Sequence, residues 1–238
     1  MTKTLLPYID DKNFREEVKT VLSVAQMAVS DAEQKLYSNT IDPFSALFDA
    51  QYQQRTLSEW LQQEKVRQIQ KRLQNAIGRF HQAILGHVPG WRDLGTGGII
   101  DLKHARRKII AEIKNKHNTT KGNHRKVIYD DLEGFLNTDC QGYVAYYVEI
   151  IPKTRTPYNK PFTPPDNETG LPRPKNDAIR IIDGYSFYAL ATGRKNALGE
   201  LYAILPKVIA EITEKDHTEI TADPLYTNLF KKAYPFST

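Results

Sequence analysis

The sequence predicts an α/β (α+β) fold, with a helical N-terminal region followed by a central mixed β-sheet flanked by helices. Three observations carry this. Apolar residues recur at helical spacing through the first 90 residues. The period then shortens to that of strands at Gly97–Asp101 and Lys108–Lys116. Helix-like and strand-like segments follow to residue 213, the pattern of a layered α/β architecture. The length of 238 residues suits one large domain or one core with appendages, and a 40% hydrophobic content suffices to pack it. A charged fraction of 26% is ordinary for a soluble protein, and nothing in the composition points to a disordered, collagenous or coiled-coil chain.

In order, Asp11–Lys35 carries Phe14, Val18, Val21, Leu22, Ala25 and Val29 at helical steps, and Asn39, Asp42 and Pro43 break it. Ser45–Gln51 reads as a short helix or turn. Thr56 opens the clearest helix: Thr56 or Ser58 caps it, and Glu59 three residues after Thr56 completes a capping box. Trp60, Leu61, Val66, Ile69, Leu73, Ile77, Phe80 and Ile84 continue it to Gly86 and Pro89. Gly97–Asp101 and Lys108–Lys116 read as the strands of a hairpin with a basic turn. A helix from about His124 to Leu136 and a strand at Tyr143–Ile151 come next. Residues 152–177, with seven of the thirteen prolines, read as a long loop. Ala178–Leu190 reads as a strand kinked near Asp183-Gly184, Lys195–Thr213 as a helix, and 214–238 as a polar, aromatic tail. The expected organisation is 1–54 helical region, 55–213 core and 214–238 tail.

A net charge of +5 and a pI near 9.1 fit a polyanionic partner. The single cysteine, Cys140, excludes an internal disulfide and reads as a small buried residue rather than a nucleophile. The N-terminus lacks a signal-peptide pattern and no run of about 18 apolar residues occurs, so no membrane partner and a cytoplasmic location are expected.

The chemistry concentrates in GGIIDLKHARRKIIAEIKNK (97–116). Strand side chains alternate, so Glu112 and Lys114 share one face while Ala111 and Ile113 point the other way. The hairpin brings Asp101 alongside. Two carboxylates can hold a magnesium ion that keeps several waters. Such an ion polarises a phosphodiester and acidifies water, and a neighbouring lysine stabilises developing charge. The carbonyl of Ile113 can add a metal ligand. Asp, ten residues, then Glu-x-Lys is a common pattern, and a surface hairpin with a cross-strand ion pair reads equally well. What favours chemistry is the isoleucine-rich strand, where charges are costly unless paired or used.

The order of long helix, hairpin with Asp…Glu-x-Lys, helix and strand resembles the core of the PD-(D/E)xK nucleases, with Ile100 at the motif's proline position. AEIKNKHNTTKGNHRKVIYDDLEGFL (111–136) resembles a group of type II restriction endonucleases that cut GGNCC-like or GGWCC-like sites. IDGYSFYALATG (182–193) resembles that group's late strand. The resemblance covers 55–213. It implies a Mg2+-dependent enzyme (Mn2+ able to substitute), with Asp101 and Glu112 as metal ligands and Lys114 as the catalytic lysine. A further acid comes from the long helix, Glu64 rather than Glu59. It also implies a double-stranded DNA substrate and a cognate methyltransferase in the host.

For DNA binding, the polar segment after the catalytic strand supplies Lys116, His117, Asn118, Thr119, Thr120, Lys121, Asn123 and His124, whose amide, hydroxyl and cationic groups suit base edges and phosphates. Arg155 and Lys160 of the proline-rich loop join them. A palindromic site favours a homodimer. The rival readings are an HNH nuclease built on His104, Asn115 and His124, a repair or junction nuclease of the same superfamily, and a non-catalytic DNA-binding protein.

Overall fold

The computed structural model describes residues 4–36, 40–95, 97–120, 122–216 and 218–235. Its elements in order are α1 (Asp11–Ser30), α2 (Ala32–Lys35), α3 (Pro43–Tyr52), α4 (Leu57–Gly86), β1 (Arg92–Asp93), β2 (Leu102–His104), β3 (Ile109–Lys116), α5 (Gly122–Asn137), β4 (Val144–Ile151), β5 (Asn159–Pro161), β6 (Ile179–Asp183), α6 (Gly184–Thr192), α7 (Ala197–Thr213), α8 (Thr218–Ala222) and α9 (Pro224–Ala233). The expected mixed sheet, flanking helices and helical N-terminal region are present. The chain divides into two compact units, Val18–Phe80 and the remainder.

In Val18–Phe80 the expected capping box opens α4. The Thr56 amide donates to Glu59 Oε2 at 2.9 Å and the Glu59 amide to Thr56 Oγ1 at 3.2 Å. Asp42 caps α3 by accepting from the Phe44 amide, with Pro43 at the first helical position.

The other unit is built on a six-stranded sheet of order β1-β2-β3-β4-β6-β5. β3, β4 and β6 run parallel, while β1, β2 and β5 are antiparallel additions. On one face Ile110, Ala145, Tyr147, Ile179 and Ile181 pack with Ile128, Tyr129 and Leu132 of α5. On the other, Ala111, Ile113, Tyr146, Val148 and Ile150 are buried, and Phe187 of α6 meets Tyr146. The central strands are thus apolar on both sides, as parallel strands covered by helices are.

Four expectations need correction. Gly97–Asp101 is a bend rather than a strand, because Gly97 takes φ +94° and breaks the extension; β2 begins at Leu102. The Ala178–Leu190 strand ends at Asp183, so 182–193, the supposed late strand, is mostly α6. Asp183 accepts from the Ser186 amide as its N-cap. Gly184 is required there, since a Cβ would lie 2.4 Å from the Ile150 carbonyl oxygen. The proline-rich loop contains β5 and a bridge between Pro165 and Pro172. It is pinned to α5 by Lys126–Asp166 (3.0 Å) and Arg173–Asp130 (2.6 Å). The tail holds α8 and α9.

Candidate active site

β3 changes character along its length. Ile109, Ile110 and Ala111 are buried core; Glu112, also buried, and the half-buried Lys114 follow. In register, Glu112 faces Tyr147 and Lys114 faces Glu149 of β4. Both therefore emerge on the α5 face, immediately beyond the apolar cluster.

Asp101 sits one residue before β2. Its amide donates to the Ala111 carbonyl at 3.0 Å, the last rung between the two chain segments. Beyond that rung its side chain takes over: Oδ2 accepts from the Ile113 amide at 2.7 Å. The amide and carbonyl of one strand residue face the same neighbour, so the Ile113 carbonyl is directed to the Asp101 side. The segment that supports Asp101 is itself held. The Leu94 amide donates to the Asp101 carbonyl (2.8 Å). Gln82, buried on α4, donates to Asp93 Oδ1 and to the Gly95 carbonyl, both at 3.0 Å. Gly86 leaves room for Asp93, since a Cβ there would lie 2.6 Å from the Asp93 Cβ.

Lys114 Nζ pairs with Glu112 Oε1. Glu112 Oε2 is buried and has no hydrogen-bond donor among the described residues. Burial, then the nearby charge of Asp101, pushes the Glu112 carboxyl well above the ordinary range, and burial raises Asp101 as well. Two neighbouring carboxyls that resist ionising, one with an orphaned oxygen, fit a divalent cation, which would relieve both penalties. Among the described residues no group of three or more His, Cys, Asp or Glu converges to hold a metal. The available donor set is two carboxylates and a carbonyl, which suits a hard ion that keeps several waters.

The structure thus brings Asp101, Glu112, Ile113 and Lys114 together. Glu64 lies in the other unit and its carboxylate is engaged by Arg67 (2.6 Å) and Gln68 (2.9 Å), the former holding it below its usual range. Glu59 is used in the capping box. The α4 side chain found beside the Asp101 support is Gln82, which sequence reasoning missed because it is uncharged.

After β3, Lys116 and His117 are half-buried and Asn118 and Thr119 are exposed. Thr119 Oγ1 donates to the Lys116 carbonyl at 2.7 Å. Thr120 is buried beside Tyr147, so it faces the sheet rather than solvent. Lys121 lies outside the described residues. Asn123 and His124 are exposed at the start of α5, with Asn123 accepting from Asn167. Arg155 and Lys160 are exposed, Lys160 over the Tyr158 ring.

His104 is not a metal-binding histidine. Its Nδ1 accepts from the Arg107 amide, its ring meets Trp91 edge-on at 5.3 Å, and a Cβ at Gly90 would lie 2.6 Å from its Nε2. Burial lowers its pKa. The HNH reading loses its first residue. Cys140 is buried, as expected. Unforeseen was a closed network around Glu149, whose two oxygens accept from Arg125 Nη1 (2.9 Å) and the Tyr158 hydroxyl (2.5 Å).

A family model described as Eco47II restriction endonuclease matches residues 6–214. This chain belongs to that family. It is 48% identical over 212 residues to the type II restriction enzyme Eco47II of Escherichia coli, covering 88% of each chain. It is 28% identical over 238 residues to the type II restriction enzyme Sau96I of Staphylococcus aureus, covering 98% of this chain and 91% of that one. The family match begins well before residue 55, so most of the helical N-terminal region lies within the matched span. The mixed sheet and its helices agree with a restriction-endonuclease core. No helix among the described residues is long and apolar enough to cross a membrane.

Proposed function

We propose that this Eco47II-family chain is a type II restriction endonuclease making Mg2+-dependent double-strand cuts in DNA at a short palindromic, GGNCC-like site, with Mn2+ able to replace Mg2+. The observation that carries the chemistry is the orphaned, buried Glu112 Oε2 beside Asp101. Asp101, Glu112 and the Ile113 carbonyl would hold the cation. When bound, that ion neutralises the scissile phosphate and lowers the pKa of an attacking water. The chain's own groups do the rest. The Ile113 amide fixes Asp101 by donating to its Oδ2. Lys114 pairs with Glu112, partly offsetting the upward pull of burial and Asp101 on that carboxyl, and presents Nζ where negative charge develops on phosphate oxygens. Glu64 stands as a fourth acid on the strength of the family resemblance alone, since Arg67 and Gln68 occupy it.

Substrate binding is assigned to Lys116, His117, Asn118, Thr119, Lys121, Asn123, His124, Arg155 and Lys160, with Thr120 supporting the loop from within. The support is the sequence adjacency of 116–124 to Lys114, the exposure of Asn118, Thr119, Asn123, His124, Arg155 and Lys160, and the net charge of +5. The nuclease core is assigned to 55–213. A two-fold homodimer suits a palindrome. A host methyltransferase and a cytoplasmic location suit an enzyme that would otherwise cut its own genome. The test is incubation of the purified protein with a sequenced plasmid in Mg2+ and in EDTA. Discrete fragments in Mg2+ alone, with ends mapping to GGNCC-like sites, are expected. A smear or cleavage only at branched substrates would replace this reading with the repair-nuclease one, and binding without cleavage with the non-catalytic one.

A further inference from the structure

α3 has an inverted polarity. Its buried residues are the small Ala46 and Ala50, while Phe44, Leu47, Phe48 and Tyr52 are 72%, 56%, 75% and 89% exposed. Phe44, Phe48 and Tyr52 are spaced by four and so form one stripe along the helix. A helix normally turns its large apolar residues inward, and a contiguous exposed set marks an interaction surface. Beside the stripe, between α3 and α4 of the same unit, lies a groove of about 980 Å³ lined by Phe44, Phe48, Tyr52 and Trp60.

We infer that this face of α3 and α4 is where a second copy of the chain docks. Ridge and groove lie on one face and share the same aromatic chemistry. A two-fold axis through such a face sets the ridge of each copy against the groove of the other, the self-complementarity an isologous interface requires. The three aromatics and Leu47 expose on the order of 500 Å² of apolar side chain, a core for the roughly 800 Å² per partner of a stable interface. DNA does not suit the face. α3 has no lysine or arginine, and the groove is lined by Asp42, Asp49 and Glu64 against the single cation Arg67. The rival patch, Leu225 and Leu229 on α9, is sparser, since that helix turns Phe230 inward and carries Lys231 and Lys232 in its last turn.

This inference rests on the dimer reading and names its surface. Sedimentation of the full-length protein at micromolar concentration is the test, with Phe48→Glu, Leu47→Glu and, as a control, Leu229→Glu. The wild type and Leu229→Glu are expected at twice the 27.3 kDa chain mass, and both α3 variants at once that mass, with circular dichroism unchanged because the replaced side chains are exposed. The α3 variants should also shift plasmid cleavage from linearisation to nicking. A wild type that is monomeric both free and on DNA overturns the dimer itself. A dimeric wild type whose α3 variants remain dimeric keeps the dimer and overturns this surface, and dissociation by Leu229→Glu alone moves the interface to α9.

Discussion

Glu112 and Glu149 are both buried glutamates on adjacent parallel strands, Glu149 one strand over and two residues farther along. Their surroundings differ. Glu149 has a donor on each oxygen, and its partner Arg125 lies over the Tyr147 and Phe162 rings at 5.2 and 5.5 Å. Glu112 has Lys114 on one oxygen and, among the described residues, no donor on the other, with the Asp101 carboxyl nearby, and its carboxyl resists ionising. A closed network of charges specifies structure, and an open one is held ready for a ligand. The difference separates the carboxylate that ties α5, β4 and the proline-rich loop together from the one that we propose holds a cation.

The sharpest way to break this contrast is to exchange the two losses. Glu112→Ala should reduce cleavage by roughly 10²–10³-fold or more while leaving chemical stability unharmed. Glu149→Ala should destabilise the fold by about 2–4 kcal/mol in urea unfolding, below the full cost of stranding a buried charge because Arg125 is a quarter exposed, and should retain cleavage in its folded fraction. Lys114→Ala should lose activity as Glu112→Ala does, yet bind Ca2+ or Mg2+ no more weakly than wild type in calorimetry, since it removes a competing cation.

The pH dependence sharpens the same contrast. The folded Glu112 pKa lies above the unfolded value, so folding favours the protonated form. Without metal, this group's contribution is greatest below about pH 4.3 and declines as pH rises through neutrality. A divalent cation binds the ionised form, so the thermal stabilisation by Mg2+ should grow from pH 6 to pH 8.5, and Glu112→Gln should abolish that growth. A smaller effect is expected one layer out. Asp93→Asn, which keeps the Gly95 contact but removes a charge near Asp101, should weaken Mg2+ binding roughly 10-fold with little change in unfolding midpoint. The smallest concerns Lys160, whose replacement by alanine should lower the salt slope of DNA binding by about one while leaving the cleaved sequence unchanged.

Much of this site was legible in the sequence because alternation is a hard rule: a glutamate and a lysine two apart in an isoleucine run must share a face. The α4 start was legible from Thr56 and Glu59, whose reciprocal bonds are local. What escaped depends on long-range geometry. The bend at Asp101 hides behind β-forming isoleucines, with only Gly97 and Gly98 to signal it. α6 hides among aromatic residues that favour strands, although Asp183 and Ser186 spell a cap. α9 has the same Asp-Pro opening as α3, at Asp223 and Pro224, and was readable on that ground. Gln82 and Glu149 gave no local signal, because their partners are 9 to 24 residues away.

The central claim is that Glu112, not Glu149, is the carboxylate that serves cleavage. Cleavage of a sequenced plasmid in saturating Mg2+ by wild type, Glu112→Ala and Glu149→Ala, each normalised to its folded fraction, tests it directly. The account predicts identical fragments from wild type and Glu149→Ala and none from Glu112→Ala; fragments from Glu112→Ala at the wild-type rate would contradict it.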